Sequence, residues 1–164
     1  MNSVFILNAS PIILLGKADL LRIVGPLVEH WIIPEGVAAE VETKRPIGPH
    51  LADLGHSSNV TKESIRRIHP LVAAWDLGTG ESEVLSLAME RGSQAKAVLD
   101  DLQDRKCAKM FNLGLIGCVG LVVMAKRVGI IKDVKPQINR LIEVGLRIDP
   151  DLLRVVYQKI GEQE

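Results

Sequence analysis

The sequence predicts an α/β fold of three layers, in which a central parallel sheet of about five strands is packed between helices. Three observations carry this expectation. Short apolar runs, Val4-Phe5-Ile6-Leu7 the clearest, are continuous rather than alternating, as in strands buried on both faces. Segments with helical start and stop signals separate them. Acidic residues follow two of the runs or sit near a third turn: Glu40 in VAAEVE, Glu81 and Glu83 in GTGESEVLSLA, Asp100 and Asp101 in AVLDD. In parallel α/β folds the ligand site lies at the carboxyl ends of the strands.

The elements follow in order. Asn8-Ala9-Ser10-Pro11 stops the first strand; Ser10 as N-cap and Pro11 as first helical residue predict a helix to about Ala18. Asp19 is expected to cap a short helix over 20–24, and residues 28–33 to form the second strand. Pro34 opens a helix to about Val41. Residues 44–60, with two prolines and two glycines, suggest a helical arm or lid with loops. TKES at 61–64 resembles a capping box and predicts a helix or turn to Arg67. Residues 71–75 form the third apolar run. Gly78-Thr79-Gly80 precedes a strong helix over 81–91, closed by Gly92. Residues 95–99 read as a strand, with Asp100 or Asp101 capping a helix to Phe111. Leu115 and Ile116 form a short strand, 119–128 a very apolar helix, and 135–144 and 150–160 two closing amphipathic helices. The whole reads as one domain, 1–164.

Composition narrows the function. Lys plus Arg (20) balance Asp plus Glu (20), so nucleic acid must be held by a local patch rather than a bulk field. Aromatics are 3%, too few for a base-stacking platform. Cys107 and Cys118 lack CxxC spacing, and His30, His50, His56 and His69 lack a zinc pattern. The longest uncharged stretch, 113–125, is shorter than the about 20 residues that span a bilayer. No signal-peptide pattern opens the chain, so a cytoplasmic protein without membrane contact is expected.

Carboxylates gathered at strand ends can hold a hard divalent cation, and such a cation drives phosphodiester hydrolysis. Each acid also has a simpler role: Asp100 or Asp101 as N-cap, Glu81 and Glu83 as dipole compensation, Glu40 on a solvated helix face. Arg105, Lys106 and Lys109 form a small basic patch, either solvated or placed to meet phosphate. Gly78-Thr79-Gly80 is no phosphate loop, because no GK[ST] follows. Flavodoxin-like nucleotide binding is disfavoured for the same reason.

The blocks VFILNASPIILLGKADLL, IIPEGVAAEV, LGTGESEVLSLAMERG and AVLDDLQDRKCAKMFNLGLIGCVGLVVMAKRVGII together resemble the PIN-domain superfamily. The likeness is greatest to a VapC-like branch of small prokaryotic proteins, and it covers about residues 3–157. It implies a Mg2+- or Mn2+-dependent endoribonuclease acting on RNA, of a kind often toxic, neutralised by an antitoxin protein and homodimeric. The first-strand acid of the family falls on Asn8, with Ser10 matching its serine. The helix acid falls on Glu40, the third on Glu81 or Glu83, and the fourth on Asp100 or Asp101. Arg105 or Lys106 would then offset phosphate charge. Asn8 replaces an acid by an amide, whose oxygen ligates without formal charge. The alternative is therefore a catalytically weakened or inactive PIN-like module that binds RNA or protein.

Overall fold

The computed structural model describes residues 3–44, 48–55 and 59–162, with no account of the side chains of residues 48–50. Five strands form one all-parallel sheet: β1 (Val4–Leu7), β2 (His30–Pro34), β3 (Val60–Glu63), β4 (Ala95–Val98) and β5 (Gly114–Ile116), in the order β3-β2-β1-β4-β5. Helices cover both faces, giving the expected three layers. The sequence reason is visible in the central strands. Phe5, Ile6 and Leu7, then Trp31, Ile32 and Ile33, then Ala97 and Val98, are consecutive and buried. Successive strand residues point to opposite faces, so a continuous apolar run needs cover on both.

Helices α1 (Ala9–Lys17), α2 (Leu21–Val24), α3 (Glu35–Thr43) and α4 (Gly48–Leu54) connect β1 to β2 and β2 to β3. Helices α5 (Pro70–Ala73) and α6 (Thr79–Arg91) lead to β4, and α7 (Leu102–Met110) leads to β5. Helices α8 (Cys118–Arg127), α9 (Lys135–Glu143) and α10 (Pro150–Ile160) follow the sheet. Residues 45–47 and 56–58 of the expected arm, including His56, lie outside the described residues; α4 lies between them. No helix among the described residues is long and apolar enough to cross a membrane.

Four expectations are corrected. Ser10 does not cap α1 and Pro11 is not its first residue: Asn8 is the N-cap, and Ser10 and Pro11 both lie inside the first turn, where an absent proline N–H costs no helical bond. The third strand is not the apolar run at 71–75 but Val60–Glu63, where a capping box was expected. As an edge strand paired with β2, it needs no apolar run; β-branched Val60 and Thr61 followed by the polar Lys62 and Glu63 suffice. The run at 71–75 instead enters α5. Pro70 sits in its first turn, His69 Nδ1 accepts the Leu71 N–H at 3.1 Å, and only Val72 of this helix is buried. Asp19 does not cap α2. It ends α1 with a left-handed φ of 58°, its N–H donating to Gly16 O and the Leu20 N–H to Leu15 O. That pair of bonds is a Schellman turn, so the α1 carbonyls claim Asp19 first.

Trp31 anchors the β2 side of the core. It is fully buried, packs edge-on against Phe5 with ring centroids 5.6 Å apart, and donates from Nε1 to Gly25 O at 2.9 Å. Trp31→Ala removes both ring packing and a buried hydrogen bond. It is expected to cost about 3–5 kcal/mol in chemical denaturation followed by circular dichroism; a loss under 1 kcal/mol would contradict this assignment of the core.

Candidate functional site

The strand order reverses between β1 and β4. From β1 the chain proceeds outward to β2 and β3, then crosses back to β4 and β5 on the other side. A crevice forms at such a switch point because the loops leaving the two adjacent strands diverge. Here Asn8 is the first residue after β1 and Asp100 the second after β4. The two strands are held in register from Val4–Ala95 to Leu7–Val98, and the Asn8 N–H donates to Val98 O at 3.3 Å.

A cavity of about 610 Å³ opens there. Asn8, Ser10, Glu81, Asp100, Asp101 and Asp104 line it, and Arg147 of the α9–α10 loop reaches its edge. Each acid is delivered by a local structural reason. Glu81 lies in the first turn of α6, where the helix dipole favours an anion. Its carboxylate folds back over Gly78, in space that a β-carbon at Gly78 would occupy. Asp101 is the N-cap of α7, its Oδ1 accepting from the Gln103 and Asp104 amides at 2.9 and 3.2 Å. Asp100 accepts the Cys118 N–H at 2.9 Å through Oδ1. The two neighbouring acids, which spacing alone left interchangeable, therefore have different anchors on the same cavity.

Two buried oxygens of residues lining this cavity, Asn8 Oδ1 and Asp100 Oδ2, have no hydrogen-bond partner among the described residues. Buried acceptors are rarely left unmade, because desolvation costs about 1–3 kcal/mol each. The amide of Asn8 does not cap α1, although the residue occupies the N-cap position. Hard oxygen donors facing a polar cavity suit a hard divalent cation. Among the described residues no three carboxylate, imidazole or thiol groups converge closely enough to hold an ion unaided. The fit therefore rests on the two unpartnered oxygens, one from the Asn8 amide and one from the Asp100 carboxylate.

Sequence reasoning missed Asp104. It is 2% exposed, and its carboxyl is pushed from the ordinary 3.8 to about 7. Burial is the largest cause, followed by the charges of Asp101, Glu81 and Glu40. The spacing Asp101-x-x-Asp104 places both acids on the first turn of α7, a signal present in the sequence but obscured by the Asp100-Asp101 pair. Glu40 is partly buried on α3; it does not line the cavity, but its charge reaches Asp104. Glu83 is directed elsewhere, its Oε2 accepting the Gly36 N–H at 2.7 Å at the start of α3. Lys106 is exposed and lines neither this cavity nor its neighbour. Arg105 Nη1 donates to Leu99 O at 2.9 Å. Cys118 is fully buried, and its thiol is pushed well above the usual range by burial and then by Asp100.

A second, mainly apolar groove of about 900 Å³ adjoins the cavity and shares Asp100, Leu102, Leu146 and Arg147 with it. Lys96, Arg105, Arg127, Arg147 and Lys159 line this groove, against only two acids, Asp100 and Asp149. The neutral chain thus places acids in the cavity and bases beside it.

Because Asp104 binds its proton more tightly when folded, its contribution to stability is fully present below about pH 4 and is lost as pH rises through about 7. In EDTA, Asp104→Asn is expected to remove this loss. Its stability relative to the native chain should grow between pH 4 and 8 by on the order of a few kcal/mol. Denaturant midpoints across that range check it; parallel profiles would show that Asp104 does not carry the buried charge.

A family model described as a PIN domain matches residues 4–162. No curated protein matches the chain. PIN domains are generally nucleases and typically use divalent metals, which agrees with an acid-lined cavity at the strand-order reversal. The match spans nearly the whole chain and the sheet has the corresponding all-parallel form: the protein belongs to the PIN-domain family and has its nuclease-type fold.

Proposed function

We propose that this chain is a divalent-cation-dependent endoribonuclease. The observation that carries the reading is the pair of unpartnered buried oxygens, Asn8 Oδ1 and Asp100 Oδ2, on a cavity that also presents Glu81, Asp101 and Asp104. Asn8 and Asp100, with one of Glu81 or Asp101, would hold Mg2+ or Mn2+, which when bound offsets phosphate charge and acidifies a coordinated water. Glu40 adds negative potential from α3, which reaches the buried Asp104. Without a cation the cavity repels a phosphodiester, so substrate binding depends on metal as well as on salt.

RNA as the substrate is supported by the basic groove beside the acids. A strand lying there would meet Lys96, Arg127, Arg147 and Lys159 along its phosphates while one linkage enters the cavity. Ser10, exposed at the cavity, is the polar group placed to orient that linkage. The motif resemblance extends the proposal to a VapC-like toxin that is homodimeric and restrained by an antitoxin protein.

A second reading rests on Asn8. An amide in place of a carboxylate removes one negative charge from the cation set, and cation affinity follows ligand charge. The chain would then bind RNA or protein with weak or no cleavage.

Cleavage of a mixed single-stranded RNA with Mn2+ separates the two. Under the nuclease reading the native chain cleaves, and both EDTA and Glu81→Gln abolish cleavage. Cleavage by Asn8→Asp alone would favour the second reading; silence from both would remove the catalytic proposal. Independently, Mn2+ at a hundredfold excess over its dissociation constant is expected to stabilise the native chain by about 2.7 kcal/mol. Asn8→Asp should tighten Mn2+ binding by roughly tenfold, about 1.4 kcal/mol. A melting temperature insensitive to millimolar Mn2+ in both chains would exclude the cation site.

A further inference from the structure

Asp100 uses its two oxygens differently. Oδ1 accepts the amide of Cys118, the first residue of the ten-residue helix α8, at 2.9 Å. Oδ2 is buried without a partner on the acidic cavity. Two neighbours explain how this division is maintained. Gly117, immediately before Cys118, has no side chain to separate the helix from the carboxylate. A β-carbon there would lie 2.7 Å from Asp100 Oδ1, 3.1 Å from Arg105 Nη1 and 3.4 Å from Leu99 O. The φ of Gly117 is −105°, which any residue adopts, so the requirement for glycine is one of space. Arg105 closes the same point from α7, its Nη1 donating to Leu99 O at 2.9 Å. That carbonyl belongs to the peptide leading into Asp100, so the bond fixes the backbone from which the carboxylate projects.

We infer that Gly117 and Arg105 are positioning residues for Asp100, committing Oδ1 to the start of α8 so that Oδ2 alone is presented to a divalent cation. The inference rests on the cation-dependent reading above. It assigns Arg105 a role different from the phosphate contact that its place in a basic patch suggested. An ionised carboxylate held by a helix N-terminal amide gains from both the hydrogen bond and the dipole, which fixes its rotamer. Groups that orient a metal ligand in this way typically affect metal affinity by about 10–100-fold. A lysine at position 105 retains a single donor for the Leu99 carbonyl, whereas alanine retains none.

The test is calorimetric titration of MnCl2 into the EDTA-stripped full chain, with melting temperatures measured in EDTA and RNA cleavage measured in parallel. Asp100→Asn and Glu81→Gln are expected to weaken Mn2+ binding. Gly117→Ala and Arg105→Ala should weaken it by about 10–100-fold, and Arg105→Lys should recover part of the loss. If Gly117→Ala does not fold, the Arg105 pair decides. Native Mn2+ affinity in Arg105→Ala, with only a raised KM for RNA, would overturn the inference in favour of a phosphate contact. A lowered melting temperature with native Mn2+ affinity would overturn it in favour of a purely structural role. If Asp100→Asn and Glu81→Gln themselves leave Mn2+ binding unchanged, the cation site fails and this inference with it.

Discussion

Parallel pairing of β1 with β4 is the constraint on which the rest of the molecule depends. These strands are distant in sequence and are joined side by side from Val4–Ala95 to Leu7–Val98. Their pairing makes the sheet grow outward in both directions, which turns their carboxyl ends into a crevice. Asn8 and Asp100 both line that crevice because each is among the first residues after its strand. The apolar continuity of both strands secures the pairing, since Ile6, Leu7, Ala97 and Val98 are all buried. A shift in register would carry Asn8 away from Asp100.

Around that seam, helix N-termini distribute the acids. Glu81 belongs to the first turn of α6, Asp101 caps α7, and Asp100 reaches the start of α8. Each placement has a stabilising explanation, because a helix N-terminus favours negative charge. The converging arrangement nevertheless incurs a penalty that none of the helices removes. Asp104 is buried among like charges and holds its proton to about pH 7, while two oxygens of the cavity remain unpaired. Local stabilisation combined with collective frustration is the pattern expected of a functional site.

Charge segregation gives the neutral chain two adjacent surfaces of opposite character. The acidic cavity and the basic groove share Asp100, Leu102, Leu146 and Arg147, so the two surfaces are continuous. The α9–α10 loop supplies Leu146 and Arg147 to both, linking the closing helices to the site. Overall composition conceals this organisation because opposite charges cancel in the sum.

The sequence by itself determined the α/β class, the β1, β2, β4 and β5 strands and most of the helices between them, through apolar continuity and the Pro, Gly and Asp punctuation of their ends. It also marked Asn8, Glu81, Asp100 and Asp101, because those residues occupy strand ends and helix starts. Tertiary structure decided what local pattern does not contain. The edge strand Val60–Glu63 forms because β2 offers it a partner, not because its residues form an apolar run. Glu83, close in sequence to Glu81, turns to the Gly36 amide because α3 packs against α6. Asp104 enters the site because α7 docks that face against the sheet, and desolvation then raises its pKa. Periodicity and capping act over a few residues and can be read from the chain. Burial, unpaired oxygens and like-charge convergence arise between segments distant in sequence, and they exist only once the sheet has brought those segments together.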